Sequence, residues 1–406
     1  MKKILIGFLL CTVLLVGCNQ DIVSEPVLNQ DTILTSNCEE KLVDLYIPAH
    51  VERGLLEPNQ GIYTGAYVEN NLALDHDMKK FEDLVGVKQA FRVMQYQGSA
   101  DVTSRQLLEC LANGQTPYIK VMMNSDYDTT PIYHLVSDLK TKYKMPIFIE
   151  LYPVDGEVGD PEAYKAYYKT SYELIKKHLD QAVVVWSIDV EQVEQYVSYY
   201  PGGNMVDWVG LNVYVPQYVS GVAYDTDFRT GIDLWYKTFQ SEKPLMLSGV
   251  AVSHFSRVDH TYQISEASSL LNYFYETVPK AYPRVRGILY IDVDMAEVSK
   301  NGKEDYTLSS QKDLVTTYHQ LVSEGDFLSE VEAYTSGQLS LPMKYTVPVL
   351  DVEGDYYISR DYAYALFNTL DLRKIQYLDY TDGNRYYQVE SLVEAYNTKH
   401  LGPMHE

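Results

Sequence analysis

Carboxylate and aromatic side chains gather at the ends of several apolar, strand-like segments in the middle of the chain. Three of these ends read ELYPVDGE over 150–157, WSIDVE over 186–191 and DVD over 292–294, and a fourth reads NVY over 212–214. A pair of carboxyl groups can cleave a glycosidic bond, and aromatic rings can stack on the face of a sugar. These segments therefore favour carbohydrate chemistry, provided that the fold brings their ends together.

Five acidic residues could supply the carboxyl groups of such a site. Asp155 and Asp292 are the two candidates for catalysis, and Glu157, Glu191 and Asp294 are further acids at the same ends. Each of them could instead be a solvated acid or a helix cap, because acidic residues are mostly exposed and Asp is a preferred N-cap.

Two aromatic residues and two further polar residues belong to the same strand ends. Tyr152 and Trp186 could bind a sugar by stacking, or they could fill the mouth of the fold. Glu150 belongs to the site only if the alternation of its strand turns it inward. His254 could act as a base or could be an ordinary rim or core histidine.

The segments that carry these residues alternate with helical segments. Apolar strand patterns cover 61–68, 91–96, 117–123, 147–152, 183–188, 206–215, 245–252 and 285–293, and helical patterns cover 74–84, 104–113, 130–144, 161–179, 191–199, 228–239, 265–278 and 309–321. Apolar strands that are each followed by a helix predict a parallel sheet buried on both faces. Eight such repeats predict an α/β fold, a closed (β/α)8 TIM barrel over residues 60–325, with its site at the carboxyl ends of the strands. An open doubly wound sheet is the alternative, but no glycine-rich phosphate turn follows the first strand.

The pattern changes after residue 325. Residues 346–406 contain a weak duplication, in which each copy reads strand, tight turn, strand and helix, with turns at 353–355 and 382–384. Asp-Gly pairs are strong hairpin signals. This part is therefore predicted to be a small α+β domain of two ββα units. It weakly resembles the stalk-type domain named for the N-terminal domain of copper amine oxidases, without copper ligands.

The first residues predict an export signal. Lys2 and Lys3 precede a short apolar run over 4–15, and the run ends in Leu-Val-Gly before Cys18. This ending resembles the lipobox of bacterial lipoproteins, which implies a signal peptide over 1–17, lipidation of Cys18 and a tether over 18–59. The protein is then extracytoplasmic and anchored to the cell membrane by lipid. An ordinary cleaved signal or an uncleaved N-terminal anchor is the alternative.

Composition excludes some classes of partner. The net charge of −23 argues against nucleic acid or an anionic lipid surface as a partner. The four cysteines have no metal-site spacing, so we expect no metal and no cofactor; Cys38 and Cys110 could pair or could be two free thiols. The chain has 38 Tyr but only 3 Trp and 10 Phe, which suits sugar stacking or simply tyrosine-rich strands.

One stretch carries a family resemblance. Residues 199–214, YYPGGNMVDWVGLNVY, are similar to the strand-six signature of glycoside hydrolase family 26, the β-mannanase family. The segments 61–68, 145–149 and 243–247 fit the same pattern, so the resemblance spans about residues 61–321. It implies a retaining hydrolase, with an acid/base Glu on strand four and a nucleophilic Glu on strand seven.

The chain departs from that family at both catalytic positions. The strand-four motif, roughly His-Glu-Met-Asn-Gly, is replaced by PVDG over 153–156, with no Glu at the matching place. The strand-seven motif, Ser-Glu-Phe-Gly, is replaced by SGVA over 248–251, so Gly249 occupies the position of the nucleophile. Tyr214 corresponds to the family tyrosine beside the nucleophile and can here serve only in binding or packing. Glu150 replaces a residue that is usually basic in the family.

These observations predict a lipid-anchored lipoprotein whose barrel is a pseudoenzyme that binds an oligosaccharide or polysaccharide, with Tyr152, Trp186 and Tyr214 as the binding residues. Two alternatives stay open. The protein could be an active glycoside hydrolase with relocated carboxylates, or a structural interaction protein of the cell envelope that uses the barrel as a scaffold.

Overall fold

The computed structural model of the 406-residue chain describes residues 33–34, 39–96, 102–123, 126–153, 159–333 and 335–400. The expected signal peptide and the residues Cys18, Cys38, Asp155 and Glu157 lie outside the described residues. The described part forms two compact units. One unit covers residues 50–341, and the other combines the described residues up to 49 with those from 342 onward.

Eight parallel strands of the larger unit form a closed barrel within the described residues. They are β1 (Ile62–Tyr67), β2 (Phe91–Tyr96), β3 (Thr116–Met123), β4 (Phe148–Pro153), β5 (Val183–Asp189), β6 (Trp208–Val215), β7 (Leu245–Val252) and β8 (Val285–Ile291). The barrel closes because β8 pairs in parallel with β1. A short strand, Phe327–Leu328, also pairs with β1. The predicted (β/α)8 barrel is confirmed.

A helix follows each barrel strand. The helices are α1 (Met78–Val85), α2 (Ser104–Asn113), α3 (Thr130–Lys142), α4 (Pro161–His178), α5 (Val193–Tyr196), α6 (Phe228–Phe239), α7 (Ile264–Asn272) and α8 (Lys312–Glu324). Local sequence fixes where several of them begin. Thr103 and Gln106 form a capping box before α2, and Asp160 accepts a hydrogen bond from the third residue of α4, which begins with proline. No helix among the described residues is both long and apolar enough to span a membrane.

The interior of the barrel is filled by aromatic rings at its amino-terminal end. Phe91 of β2 contacts Phe148 of β4 with ring centroids 4.8 Å apart, and Phe148 contacts Trp208 of β6 at 5.6 Å. Tyr63 and Tyr118 belong to the same buried cluster. Because β2, β4 and β6 are alternate strands, these contacts cross the lumen, as expected for the layered filling of a TIM barrel.

The smaller unit is built on one six-stranded sheet. In order across the sheet its strands are Ile33–Leu34, Tyr377–Tyr380, Arg385–Gln388, Asp355–Ser359, Gln338–Val352 and Glu39–Glu52. The helices Arg360–Leu366 and Val389–His400 each follow a hairpin, so the two predicted ββα units are confirmed.

The structure differs from our expectation in the segment 18–59, which we interpreted as a tether. Residues 39–52 of that segment form a strand of the six-stranded sheet. Its residues Val43, Leu45 and Ile47 alternate inward and are buried with the core of the smaller unit. This alternation was present in the sequence but is interrupted by a proline directly after Ile47.

Candidate functional site

The alternation of the strands decides which side chains enter the lumen. In β4, Phe148 lies in the aromatic filling, so Glu150 and Tyr152 point to the same interior at successively higher levels. In β3, Lys120 follows Tyr118 of the aromatic filling in the same way. The polar side chains above the aromatic filling therefore face each other at the carboxyl end of the barrel.

A buried ion pair occupies the centre of this level. Nζ of Lys120 lies 3.4 Å from Oε2 of Glu150, donates to Oδ1 of Asn212 at 2.7 Å, and donates to the carbonyl of Ser248 at 3.2 Å. The hydroxyl of Ser248 donates to Oε1 of Glu150 at 3.2 Å. Glu150 has no exposed surface, and Lys120 is only 8% exposed. Strands β3, β4, β6 and β7 are thus linked around one charge pair.

Gly249 opens onto the same group of atoms. A Cβ atom at this position would lie 2.6 Å from Oδ1 of Asn212, 2.9 Å from the hydroxyl of Tyr214 and 3.2 Å from Nζ of Lys120. Real Cβ contacts below 3.0 Å essentially do not occur, so any side chain here would force its neighbours to move. The position that the family resemblance assigns to the nucleophile is therefore already filled by other polar groups.

Tyr152 stands above the ion pair and is half-buried. Its hydroxyl donates to the carboxylate of Asp189 at the end of β5, with distances of 2.9 and 3.1 Å to the two oxygens. Nζ of Lys120 lies 5.3 Å from the centre of the Tyr152 ring. Burial, with additional effects of Tyr214 and the nearby carboxylates, raises the pKa of Tyr152, so the hydroxyl remains a proton donor.

Further tyrosines surround this level, and we call the four together the tyrosine rim: Tyr152, Tyr214, Tyr224 and Tyr306. Tyr214 packs against the buried cluster that contains Tyr306. Burial raises the pKa of Tyr224, and the carboxylate of Glu191 raises it further. Burial also raises the pKa of Tyr306, and Glu304, Tyr214, Tyr224 and Glu191 add to this effect. The rim thus combines four phenol groups with the carboxylates of Asp189 and Glu191.

Asp292, one of the two candidates for catalysis, serves the structure instead. Its carboxylate has no exposed surface and accepts hydrogen bonds from Nδ2 of Asn71 at 2.7 Å and from the backbone N–H and hydroxyl of Ser309 at 3.1 and 2.5 Å. Burial raises its pKa to about 6. A carboxyl group that is enclosed by loop residues cannot reach a substrate, so this catalytic assignment is corrected.

Two other candidates also have structural partners. Asp294 forms a bidentate ion pair with Arg257, at 2.8 and 2.6 Å, and caps the short helix Met295–Val298. His254 is fully buried, with Nε2 3.7 Å from Asp305, and burial lowers its pKa. The capping role considered for Asp294 and the core role considered for His254 are the ones observed.

Trp186 lies on the outer face of β5 and not in the lumen. It has no exposed surface, its indole N–H donates to the hydroxyl of Tyr164 at 3.1 Å, and its ring contacts Tyr200 and Phe239. These partners belong to helices and loops that pack around the barrel. Trp186 is a core residue, and the structure does not bring it together with Tyr152 and Tyr214.

Several residues of the site escaped the sequence analysis. Lys120 is one lysine within an apolar strand, and Tyr224 and Tyr306 lie in loops beyond the strand ends. The position of Lys120 was an incomplete signal, because a charged residue of a barrel strand either faces the lumen or pairs with a helix residue, as Arg92 of β2 does with Glu109 of α2 at 2.7 Å. Among the described residues, no group of three or more His, Cys, Asp or Glu side chains could hold a metal ion. Cys110 is buried in α2.

Known proteins resemble this region in part of its sequence and in its fold. The family model for glycosyl hydrolase family 26 matches residues 155–234. A modular endo-β-1,4-mannanase from Cellulomonas fimi is 13% identical over 69% of this chain and 75% of its own, with a TM-score of 0.50. The catalytic domain of a family 26 endo-β-1,4-mannanase from Bacillus sp. JAMB-750 is 12% identical over 68% and 93%, with a TM-score of 0.48. A family 26 β-mannanase from Bacteroides ovatus is 12% identical over 68% and 92%, with a TM-score of 0.46.

No curated protein matches the sequence. The similarity to the Cellulomonas fimi mannanase shows that the fold is shared, and the family model shows that the resemblance to family 26 extends to the sequence around β5 and β6.

Proposed function

We propose that this protein is an extracytoplasmic lipoprotein whose barrel binds a β-linked oligosaccharide or polysaccharide without hydrolysing it. The observation that carries the proposal is the surroundings of Gly249. At the position where the family resemblance requires a nucleophilic carboxylate, the chain has no side chain, and Nζ of Lys120 lies 3.2 Å from the place of a Cβ atom.

A retaining hydrolase needs two carboxyl groups about 5–5.5 Å apart, one on each side of the scissile bond. Among the described residues, Glu150 forms an ion pair with Lys120. Asp292 accepts a hydrogen bond from Ser309, and Asp294 accepts hydrogen bonds from Arg257. The carboxylate of Asp189 accepts a hydrogen bond from Tyr152. This arrangement supports a role of the acids in positioning a ligand.

The tyrosine rim supplies the two kinds of contact that a sugar requires. A phenol ring offers an apolar face to the C–H face of a pyranose, and its hydroxyl can donate or accept a hydrogen bond. Asp189 and Glu191 can accept hydrogen bonds from sugar hydroxyls. Tyr152 and Tyr214 are both half-buried, so each keeps part of its surface open to a ligand.

The proposal is tested with a soluble form of the chain that begins after Cys18. Binding of β-1,4-mannohexaose is measured by calorimetry, and hydrolysis is measured by chromatography of the products. We expect binding without products, and we expect Tyr152→Ala and Tyr214→Ala to weaken binding. Tyr133→Ala is the matched control, because Tyr133 is 49% exposed on α3 and its ring contacts His134 and His178, which do not belong to the rim.

The other outcomes identify the alternatives. Turnover that is abolished by Asp155→Asn or Asp189→Asn would establish an active hydrolase with relocated carboxylates. A protein that neither binds nor cleaves mannan, cellulose or xylan fragments would be a scaffold of the cell envelope. Membrane anchoring is tested separately, by fractionating cells that express Cys18→Ala, which should release the processed protein from the membrane fraction. Retention of the processed variant in that fraction would refute lipidation at Cys18.

A further inference from the structure

The loop after β7 carries an aromatic surface that the candidate site does not include. We call it the aromatic platform and define it by Phe255, His260 and Tyr262. The rings of Phe255 and Tyr262 lie 4.5 Å apart with an interplanar angle of 32°, and the ring of His260 lies 6.5 Å from that of Phe255. Tyr262 is 61% exposed.

The platform is held rigidly by a small sheet. The strands Phe255–Ser256, Thr261–Tyr262 and Glu304–Asp305 pair antiparallel, so the loop after β7 is joined to the loop after β8. Both loops leave the carboxyl ends of barrel strands. The platform therefore lies on the same end of the barrel as the tyrosine rim.

A buried carboxylate anchors this sheet. Glu304 accepts hydrogen bonds from the hydroxyls of Ser253 and Ser256, both at 2.6 Å, and from the backbone N–H of Gln217 at 2.8 Å. Gln217 belongs to the loop after β6, so one carboxylate ties together all three loops. The hydroxyl of Tyr218 donates to Asp259 at 2.8 Å and adds a second link between the loops after β6 and β7.

The platform is continuous with the tyrosine rim. Tyr306 of the rim directly follows the strand Glu304–Asp305, in which Asp305 pairs with Phe255, and Phe255 pairs in turn with Tyr262. Adjacent strands lie about 4.8 Å apart, so Tyr262 is only two strand spacings from Asp305, the residue beside Tyr306. This continuity favours a ligand that extends beyond the mouth of the barrel.

The chemistry around the platform selects the class of ligand. Arg257 stacks over Phe255 at 5.6 Å, but its charge is neutralised by the bidentate pair with Asp294. Asp259 and Asp305 lie on the same loops as the exposed Lys300 and Lys303, so the sign of the field is set by the whole chain, which carries a net charge of −23. An acidic polysaccharide would be repelled, whereas a neutral sugar can stack its C–H face on the exposed ring of Tyr262.

From these observations we infer that the aromatic platform is a second binding surface, which holds the extension of a neutral β-linked glycan whose first sugars occupy the tyrosine rim. The inference rests on the proposed function, because it requires that the rim binds sugar. It adds that a longer glycan binds more tightly than a short one and that contact with Tyr262 causes this difference in affinity.

The test compares β-1,4-mannobiose with β-1,4-mannohexaose by calorimetry on the soluble chain. The wild type should bind the hexaose more tightly. Tyr262→Ala should lower the affinity for the hexaose about tenfold, an effect at the upper end of one aromatic contact, and should leave the affinity for the biose unchanged. Tyr262→Phe should retain the wild-type affinity, and Tyr133→Ala is again the control.

Each other outcome overturns the inference in a recognisable way. If the wild type binds the hexaose and Tyr262→Ala binds it equally well, the platform is not a binding surface, although the proposed function stands. If the wild type binds neither sugar, the proposed function and the inference fail together. If light scattering shows a wild-type dimer that Tyr262→Ala converts to a monomer, the platform is a contact between two copies of the chain.

Discussion

Replacing Lys120 with methionine should destabilise the barrel by about 3–5 kcal/mol, the usual cost of leaving a buried charge without its partner. Glu150 has no exposed surface, and its Oε2 lies 3.4 Å from Nζ of Lys120. Methionine preserves most of the length and volume of lysine, so the packing cost is small. The loss comes chiefly from the carboxylate that remains in the lumen.

A change of this size alters the unfolding equilibrium by a factor between roughly a hundred and several thousand. Lys79→Met is the matched control, because Lys79 pairs with Asp83 at the surface, where both side chains are more than half exposed. A surface ion pair of this kind contributes little to stability. The control should therefore unfold close to the wild-type midpoint.

Tryptophan fluorescence in a urea titration measures this effect in the barrel alone. The three tryptophans of the chain, Trp186, Trp208 and Trp235, are all fully buried in the larger unit. The double variant Lys120→Met/Glu150→Gln should recover most of the lost stability, because it no longer contains the uncompensated charge.

Two results would refute this reasoning. Lys120→Met could unfold at the same urea concentration as the wild type, which would mean that the ion pair does not hold the lumen together. Alternatively, the double variant could be no more stable than Lys120→Met alone, and the loss would then come from packing and not from the charge of Glu150.

Three further predictions concern other parts of the molecule. The pKa of Asp292 is raised to about 6 from an ordinary value of 3.8, so the folded state retains a proton that the unfolded chain releases. Barrel stability should therefore fall by up to about 3 kcal/mol as the pH rises from about 4 to 6, and Asp292→Asn should abolish this fall in urea titrations at several pH values. Gly249→Ala should destabilise the barrel by about 1–3 kcal/mol in the same assay, because its Cβ would lie 2.6 Å from an amide oxygen, and Gly249→Glu should gain no mannan hydrolysis. Proteolysis at residues 329–333 should give two fragments that separate on a denaturing gel but co-elute in gel filtration, because the strands Glu39–Glu52 and Gln338–Val352 are neighbours in one sheet. Separate elution of the fragments would contradict this last prediction.

The barrel could be predicted from the sequence because its strands are apolar on both faces and are each followed by a helical pattern. Because both faces of these strands are apolar, the sequence does not show which side chains face the lumen and which face the helices. In β5, the run Val183–Ile188 is buried throughout, so hydrophobicity alone cannot tell that Trp186 points outward. The inward direction is revealed by the polar residues Ser187 and, at other strands, Lys120 and Asn212.

The smaller unit shows a different limit. Its two hairpins were predictable from local turn residues at 353–355 and 382–384. The strand Glu39–Glu52 was missed because its partner strand, Gln338–Val352, lies almost 300 residues away in the sequence. The alternation of Val43, Leu45 and Ile47 indicates a strand. It does not indicate a partner strand so far away in the sequence.

The ion pair of Lys120 and Glu150 fills the lumen below the rim. A carbohydrate ligand would therefore bind at the rim and not deeper in the barrel. A family 26 hydrolase, by the resemblance, needs two ionisable carboxyl groups directed at one bond, whereas the described residues beside Gly249 place the ammonium of Lys120 against the carboxylate of Glu150. Such a pair leaves no net charge to stabilise a reacting sugar, and its hydrogen bonds to Asn212 and Ser248 resist displacement. The half-buried phenols of Tyr152 and Tyr214 and the carboxylates of Asp189 and Glu191 are still able to contact a ligand. Loss of catalysis and retention of binding would then follow from the same arrangement of residues, and a variant that restored one carboxylate at Gly249 without removing Lys120 would recover neither the geometry nor the charge of a hydrolase.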